Sequence, residues 1–313
     1  MTHAMTHAIP RAIPHAIRRA QATLTHARTM PPFLPRTAPA FAAATAAAAA
    51  AALLPAGVHA QTADAADPTE PQSKYVLGAS LSVAPEYPGA SRQTTKLRPL
   101  WAYQYGRWRI STSRASSVLG FASDAAGPGA SAELVSGPNW RVGAALRFDS
   151  GRSSSDSPDL EGMPDVKRTL RGRLYASYRL APQWSLGGSL SQDLIGRRGG
   201  LIASLDLGHS VRLGPRTEIS SGAGISFGSA QYMNTYFGVP DSAARPDRPA
   251  FAPGAGARDV HLGVGVMTAL APRWIAFANV GASRLLQDAA ASPLTRNANG
   301  ASVSFGLAYR CCN

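Results

Sequence analysis

Cysteine is nearly absent: the 313 residues contain two, Cys311 and Cys312, adjacent and at the C-terminal end. A vicinal pair closes no useful loop, and the spacing offers no zinc site, so neither a disulfide framework nor a zinc-stapled fold is expected. Charge is also sparse, at 16% of residues, and acid is scarcer than base, 18 against 31. With 45% hydrophobic residues and 30 glycines, the chain matches neither a disordered segment nor an ordinary cytosolic domain. Outside an alanine-rich stretch near the start, no run of about 18 apolar residues would supply a spanning helix. The basic residues are scattered and follow no recognition helix, so nucleic-acid binding is not expected.

The alanine-rich stretch, Phe41 to Ala60, follows an arginine-bearing lead (Arg18, Arg19, Arg28, Arg36) and closes with Val58-His59-Ala60 before Gln61. This is the layout of a secretory signal peptide over residues 1–60, with Met30 as an alternative start. A membrane anchor or a disordered tail is the competing reading. Removing that segment lowers the net charge from +13 to +8, because it carries five arginines and no acid, and it leaves His209 and His261 as the remaining histidines. Residues 61–73 read as a flexible periplasmic leader, 74–310 as the folded body and 311–313 as a tail.

What is present in abundance is alternation. Leu201, Ala203, Leu205, Leu207, His209, Val211 and Leu213 share one parity, and Ser204, Asp206, Gly208, Ser210 and Arg212 share the other. A Gly214-Pro215 turn follows, and the pattern resumes through Thr217, Ile219, Ala223, Ile225 and Phe227 against Arg216, Glu218, Ser220, Gly222 and Ser226. Period two marks β-strands with one apolar face. These runs reach the ~9–11 residues that a tilted strand needs to cross a bilayer. Similar runs begin near Lys74, Thr94, Trp108, Ser131, Trp140, Leu170, Trp184, Val260, Trp274 and Ser302, giving twelve strands. Short turns (Gly106-Arg107, Gly137-Pro138, Ala181-Pro182, Gly214-Pro215, Ala271-Pro272) alternate with longer loops, the longest from Gly228 to Ala257. The expected fold is all-β: a transmembrane antiparallel barrel of about twelve strands, with tight periplasmic turns and long outer loops. A soluble β-sandwich would need shorter strands. Trp101, Trp108, Trp140, Trp184 and Trp274 fall at or near strand ends, where headgroups anchor amphipathic rings.

Parity also sorts the candidate chemistry. Arg141, Arg147, Arg171, Arg173, Arg179 and Arg212 face inward with Asp193, Asp206 and Glu218. They make either an anion-preferring lumen or a plug of ion pairs. His261 faces inward with Asp259 two residues away, whereas His209 faces lipid, away from Asp206. A Ser/His hydrolase or a paired-carboxylate glycosidase would need convergent groups. His261 is read instead as a polar lumen residue and the inward carboxylates as part of a lumen salt-bridge network, so no enzyme activity, metal or cofactor is expected. The glycine patterns at 196–200, 222–224 and 254–256 lack the strand-loop-helix setting of a phosphate loop.

Four segments carry a resemblance: Pro85-Glu86-Tyr87-Pro88-Gly89; Asp206-Leu207-Gly208-His209; Tyr232 to Val239, including Tyr236, Phe237 and Gly238; and Leu286 to Leu294, including Asp288, Ala289, Ser292 and Pro293. In this order they resemble the MipA/OmpV family of outer-membrane proteins, also called MltA-interacting proteins. One departure is the C-terminus, where Tyr309 is followed by Arg310-Cys311-Cys312-Asn313 rather than ending the chain on the family's aromatic residue. The resemblance implies an outer-membrane scaffold that joins a murein-degrading lytic transglycosylase to a murein-synthesising penicillin-binding protein. Its contacts would fall on the leader and on turn residues Arg107, Asn139, Gln183, Arg216 and Arg273. A narrow channel for small anions and a surface adhesin or antigen carried by the 228–257 loop are the alternatives.

Overall fold

The computed structural model describes residues 74–112 and 128–311. The expected signal segment, the leader, the end of the third strand at Ser113 and Arg114, and Cys312 lie outside them. Twelve antiparallel strands close into one barrel in sequence order, β1 pairing with both β2 and β12. They are β1 Lys74–Pro85, β2 Gln93–Tyr105, β3 Trp108–Ser111, β4 Gly129–Ser136, β5 Trp140–Asp149, β6 Thr169–Ala181, β7 Trp184–Asp193, β8 Leu201–Leu213, β9 Thr217–Gly228, β10 Gly256–Ala269, β11 Trp274–Leu285 and β12 Asn299–Arg310. Closure joins the first strand to the last, the arrangement that removes free sheet edges in lipid; among the described residues β2 pairs β3 only over Ala102–Tyr105. No described helix is long and apolar enough to cross a membrane. The strands do it.

The alternation settles which face is which. Leu205 and Leu207 are exposed on the outer wall, as are Leu174, Leu262, Val264 and Phe305, while Ser204 and Ser226 on the other parity are buried. In a bilayer those exposed leucines are the lipid-facing band. All five tryptophans point outward near the short-turn end, and Trp274 meets Tyr309 edge-on with ring centroids 5.5 Å apart. Inside, one wall is apolar: Val76, Leu100, Ala102, Phe277 and Ala308 form a buried cluster on β1, β2, β11 and β12. The inward parity of β7 to β9 carries small residues, Ser185, Gly187, Ser189, Gly208, Ser210, Ser220 and Gly222.

The long loops are not plain connections, contrary to the alternation-only expectation for 228–257 and 285–300. They hold α1 Ala230–Phe237 and α2 Gln287–Ala291. The Ser229 side chain caps α1 by accepting from the Tyr232 amide at 3.3 Å.

Candidate functional site

The site is the outer mouth of the barrel, where loops from distant strands fold into a common cap. Tyr87 and Ala90 from the β1–β2 loop pack with Leu160 and Met163 from the β5–β6 loop. Val239 and Ala243 come from the β9–β10 loop and Leu294 from the β11–β12 loop. Loops rooted on opposite sides of the barrel share this core, so it lies across the mouth. A second core joins Tyr232, Met233 and Phe237 of α1 to Leu285 and Ala289 beside α2. Phe237 is 1% exposed and Met233 and Ala289 are fully enclosed.

Polar contacts stitch the cap where its backbone would otherwise be left unpaired. The Tyr87 hydroxyl donates to the Leu294 carbonyl at 2.9 Å, and the Ser292 hydroxyl donates to the Phe237 carbonyl at 2.6 Å. Asp288 accepts from the Gly254 amide at 2.8 Å, and Gln287 from the Ala257 amide at 2.8 Å. Arg248 reaches three carbonyls, those of Asp159, Glu161 and Ala243. Gly89 sits at φ +100°, with Thr295 in the space a Cβ would take. Its carbonyl accepts from both Arg296 and Asn297. Only glycine permits that close approach without strain.

Beneath the cap, ionised side chains on the barrel wall hold it down. Arg171 donates to Asp149 at 2.8 Å and to the carbonyls of Gly199 and Gly200, and the same Asp149 carboxylate accepts from the Tyr236 hydroxyl at 3.0 Å. Arg152 donates to the Tyr236 carbonyl at 2.7 Å. Tyr232 lies between two guanidinium groups, Arg171 at 5.6 Å and Arg258 at 5.8 Å from its ring centre, and its hydroxyl accepts from Arg258. Arg258 is also paired with Asp259. Burial and the nearby Asp159 push the Tyr87 phenol up to about 12. Burial and Asp149 push Tyr236 up as well, so both hydroxyls stay protonated donors.

The inward residues expected from parity divide into two groups. Arg147, Arg171, Arg173 and Asp193 are buried near the cap. Asp193 accepts from Thr169 and from the amides of Ile195 and Gly199 rather than pairing with an arginine. Arg141 lies on the inward face farther from the mouth, half-buried, and Arg179 is exposed at the short-turn end. Arg212 and Glu218 face each other there at 3.8 Å, with Arg212 largely exposed. Asp206 meets His261, whose two nitrogens face Asp206 at 2.8 Å and Asp259 at 3.0 Å. With both nitrogens on carboxylates, the imidazole has none left to accept a proton from a hydroxyl nucleophile. His209 lies against Trp184 on the outer wall, ring centres 4.5 Å apart and planes tilted by 43°. No set of three or more metal-ligating side chains converges among the described residues.

Sequence reasoning did not place Lys96, Arg98 and Arg109 inside. The register does: Lys96 and Arg98 lie opposite the buried, inward Ser82 and Ser80, and Arg109 donates to Gln104 at 3.0 Å. The inward face of β2 to β6 therefore carries more bases than acids, with Glu133 and Asp149 among them, and Asp206, Glu218 and Asp259 lie with Arg212 on the β8–β10 side.

The motif residues Tyr87, Gly89, Phe237, Val239, Ala289 and Ser292 are thus cap residues, and the match to known proteins falls on the same chain segment. The model of the family "MltA-interacting protein MipA" matches residues 77–311. The chain belongs to this family. Outer membrane protein OmpV of Vibrio cholerae is 27% identical over 181 residues, covering 58% of this chain and 68% of that protein. Omp26La of Vibrio anguillarum is 26% identical over 181 residues with the same coverage. Among solved structures, the KdgM porin is similar at TM-score 0.38 and 9% identity, covering 75% of this chain and 98% of that one. OmpT of Vibrio cholerae is similar at TM-score 0.37 and 8% identity, covering 77% and 97%. Like OmpV and Omp26La, the protein is an outer-membrane protein, and its described strands close into a β-barrel.

Proposed function

We propose that the barrel serves as a closed outer-membrane platform that presents its short-turn end to a murein hydrolase in the periplasm, a lytic transglycosylase, together with a penicillin-binding protein. The observation that carries this reading is the cap, whose shared hydrophobic core spans the outer mouth. A barrel closed in this way offers the cell a fixed body rather than a standing pore. Its exposed periplasmic surface then consists of the turns, with Arg107, Asn139, Gln183, Arg216 and Arg273 all exposed. Exposed Arg179 and Arg212 make that end basic, which suits a partner with an acidic face.

The test is a crosslinked pull-down from intact envelopes with a tag before Lys74. Recovery of both enzymes, lost with Arg107→Glu, Arg216→Glu and Arg273→Glu combined, supports the platform. Clean membrane insertion without either enzyme overturns it.

A second reading rests on the basic wall of Lys96, Arg98, Arg109, Arg147 and Arg173: an anion-preferring channel that conducts only when the cap is displaced. Conductance of cap-loosened protein that is indifferent to the sign of the permeating ion excludes it.

A further inference from the structure

The outer wall is not uniform. Across β4 to β8 it is indented by an apolar groove of about 480 Å³. Its floor is made of small residues, Ala130, Ala144 and Gly172, and its sides of Leu146, Leu174 and Leu194. Leu194 folds over Gly172, within about 3.2 Å of where a side chain there would begin. On the far side of the barrel, Leu262, Val280, Val303 and Phe305 present large exposed side chains instead.

Depth and charge identify the occupant. On β5 to β8 the lining residues lie within about five positions of the long-loop ends, a depth of about 12 Å for tilted strands, which is half the ~25 Å apolar band and so the outer leaflet, while on β3 and β4 the lining continues to Trp108 and Leu134 toward the short-turn end. Immediately above, Lys167 and Arg168 precede β6, and Arg197 and Arg198 follow the exposed Leu194 and Ile195. All four cations are exposed, and none makes an ion pair among the described residues. The nearest acids in sequence are committed elsewhere: Asp165 to the Ser154 amide at 2.7 Å and the Ser153 hydroxyl, and Asp193 to Thr169 and the amides of Ile195 and Gly199.

We propose that this groove and rim form a binding site for one molecule of the phosphorylated glycolipid of the outer leaflet. An acyl chain lies over Ala130, Ala144 and Gly172, and sugar phosphates sit against Lys167, Arg168, Arg197 and Arg198. Two pairs of cations match two phosphates better than the single phosphate of a glycerophospholipid, and guanidinium groups bind phosphate bidentately.

The experiment is native mass spectrometry of the detergent-extracted barrel after incubation with purified diphosphorylated lipid A, phosphatidylglycerol or phosphatidylethanolamine. The expected result is a one-to-one lipid A adduct that survives activation, with retention at least about tenfold above either phospholipid. Lys167→Gln/Arg168→Gln/Arg197→Gln/Arg198→Asn should remove that preference. Ala144→Phe, which fills the groove from the lipid side, should weaken retention of lipid A with the rim intact. Heat-modifiable gel mobility confirms that each variant is folded. Equal retention of all three lipids, preference for phosphatidylglycerol, or a lipid A adduct indifferent to both variants overturns the assignment.

Discussion

Tyr87 enters the cap core from the first loop and donates its hydroxyl to Leu294, 207 positions away in sequence. Its folded-state pKa is raised from 10 to about 12, chiefly by burial and then by Asp159. Between these values the unfolded chain has lost the phenolic proton and the folded one has kept it, so stability falls as pH climbs from 10 and levels off above 12. The loss is about 3 kcal/mol, from about 1.4 kcal/mol per pKa unit over the two units from 10 to about 12. Tyr87→Phe gives up a hydrogen bond worth about 1 kcal/mol but has nothing to ionise. Wild type should therefore be the more stable at pH 8 and the less stable near pH 12, as read by denaturant midpoints of the reconstituted barrel. Parallel curves across that range would refute this account. Phe237→Ala acts in the same core without a pH term: it empties a site 1% exposed and should cost about 3–5 kcal/mol, detected as protease cleavage in residues 229–255. Parity in the sequence put Arg171, Asp193 and His261 on the inward face. It could not pair Asp206 with His261, because that contact joins β8 to β10 across β9 and depends on register.

At the scale of elements, alternation found the strands because lipid outside and water inside impose period two on every one of them. β8 Leu201–Leu213 and β5 Trp140–Asp149 begin and end where their patterns do. β10 runs from Gly256, four residues before its alternation begins, because the register shifts between Ala257 and Asp259 and breaks the pattern. α1 was missed for a different reason. It has 8 residues, too few to show a helical period, and it is stable because tertiary contacts bury Tyr232, Met233 and Phe237. The signal that was available is its cap, Ser229, immediately before Ala230-Gln231-Tyr232. That serine also accepts from the Leu201 amide at 3.0 Å, tying the helix to β8. Ser229→Ala should cost about 1 kcal/mol and raise amide exchange at Tyr232 and Leu201 together. Faster exchange at Tyr232 alone would mean that the helix and the strand are not coupled through this hydroxyl.

For the whole molecule, the question is how a wall built for lipid holds a cap that touches none. Asp149 is the meeting point: it ends β5, accepts from Arg171 of β6 and accepts from Tyr236 of α1. Arg171 has a side chain only 7% exposed, so removing its carboxylate leaves a buried charge with carbonyl partners alone. Such losses cost about 3–5 kcal/mol. Asp149→Ala should therefore lower the stability of the cap far more than that of the sheet, whose ladders do not involve this side chain. In a planar bilayer, wild type should be mostly silent and the variant should open. Because opening uncovers Arg147, Arg171 and Arg173 together, the current should be carried mainly by anions, and Arg173→Ala in the same background should reduce that preference. A silent Asp149→Ala barrel with wild-type protease resistance would show that the two hydrophobic cores hold the mouth shut unaided. An open but unselective one would separate the closing of the barrel from the charge of its wall.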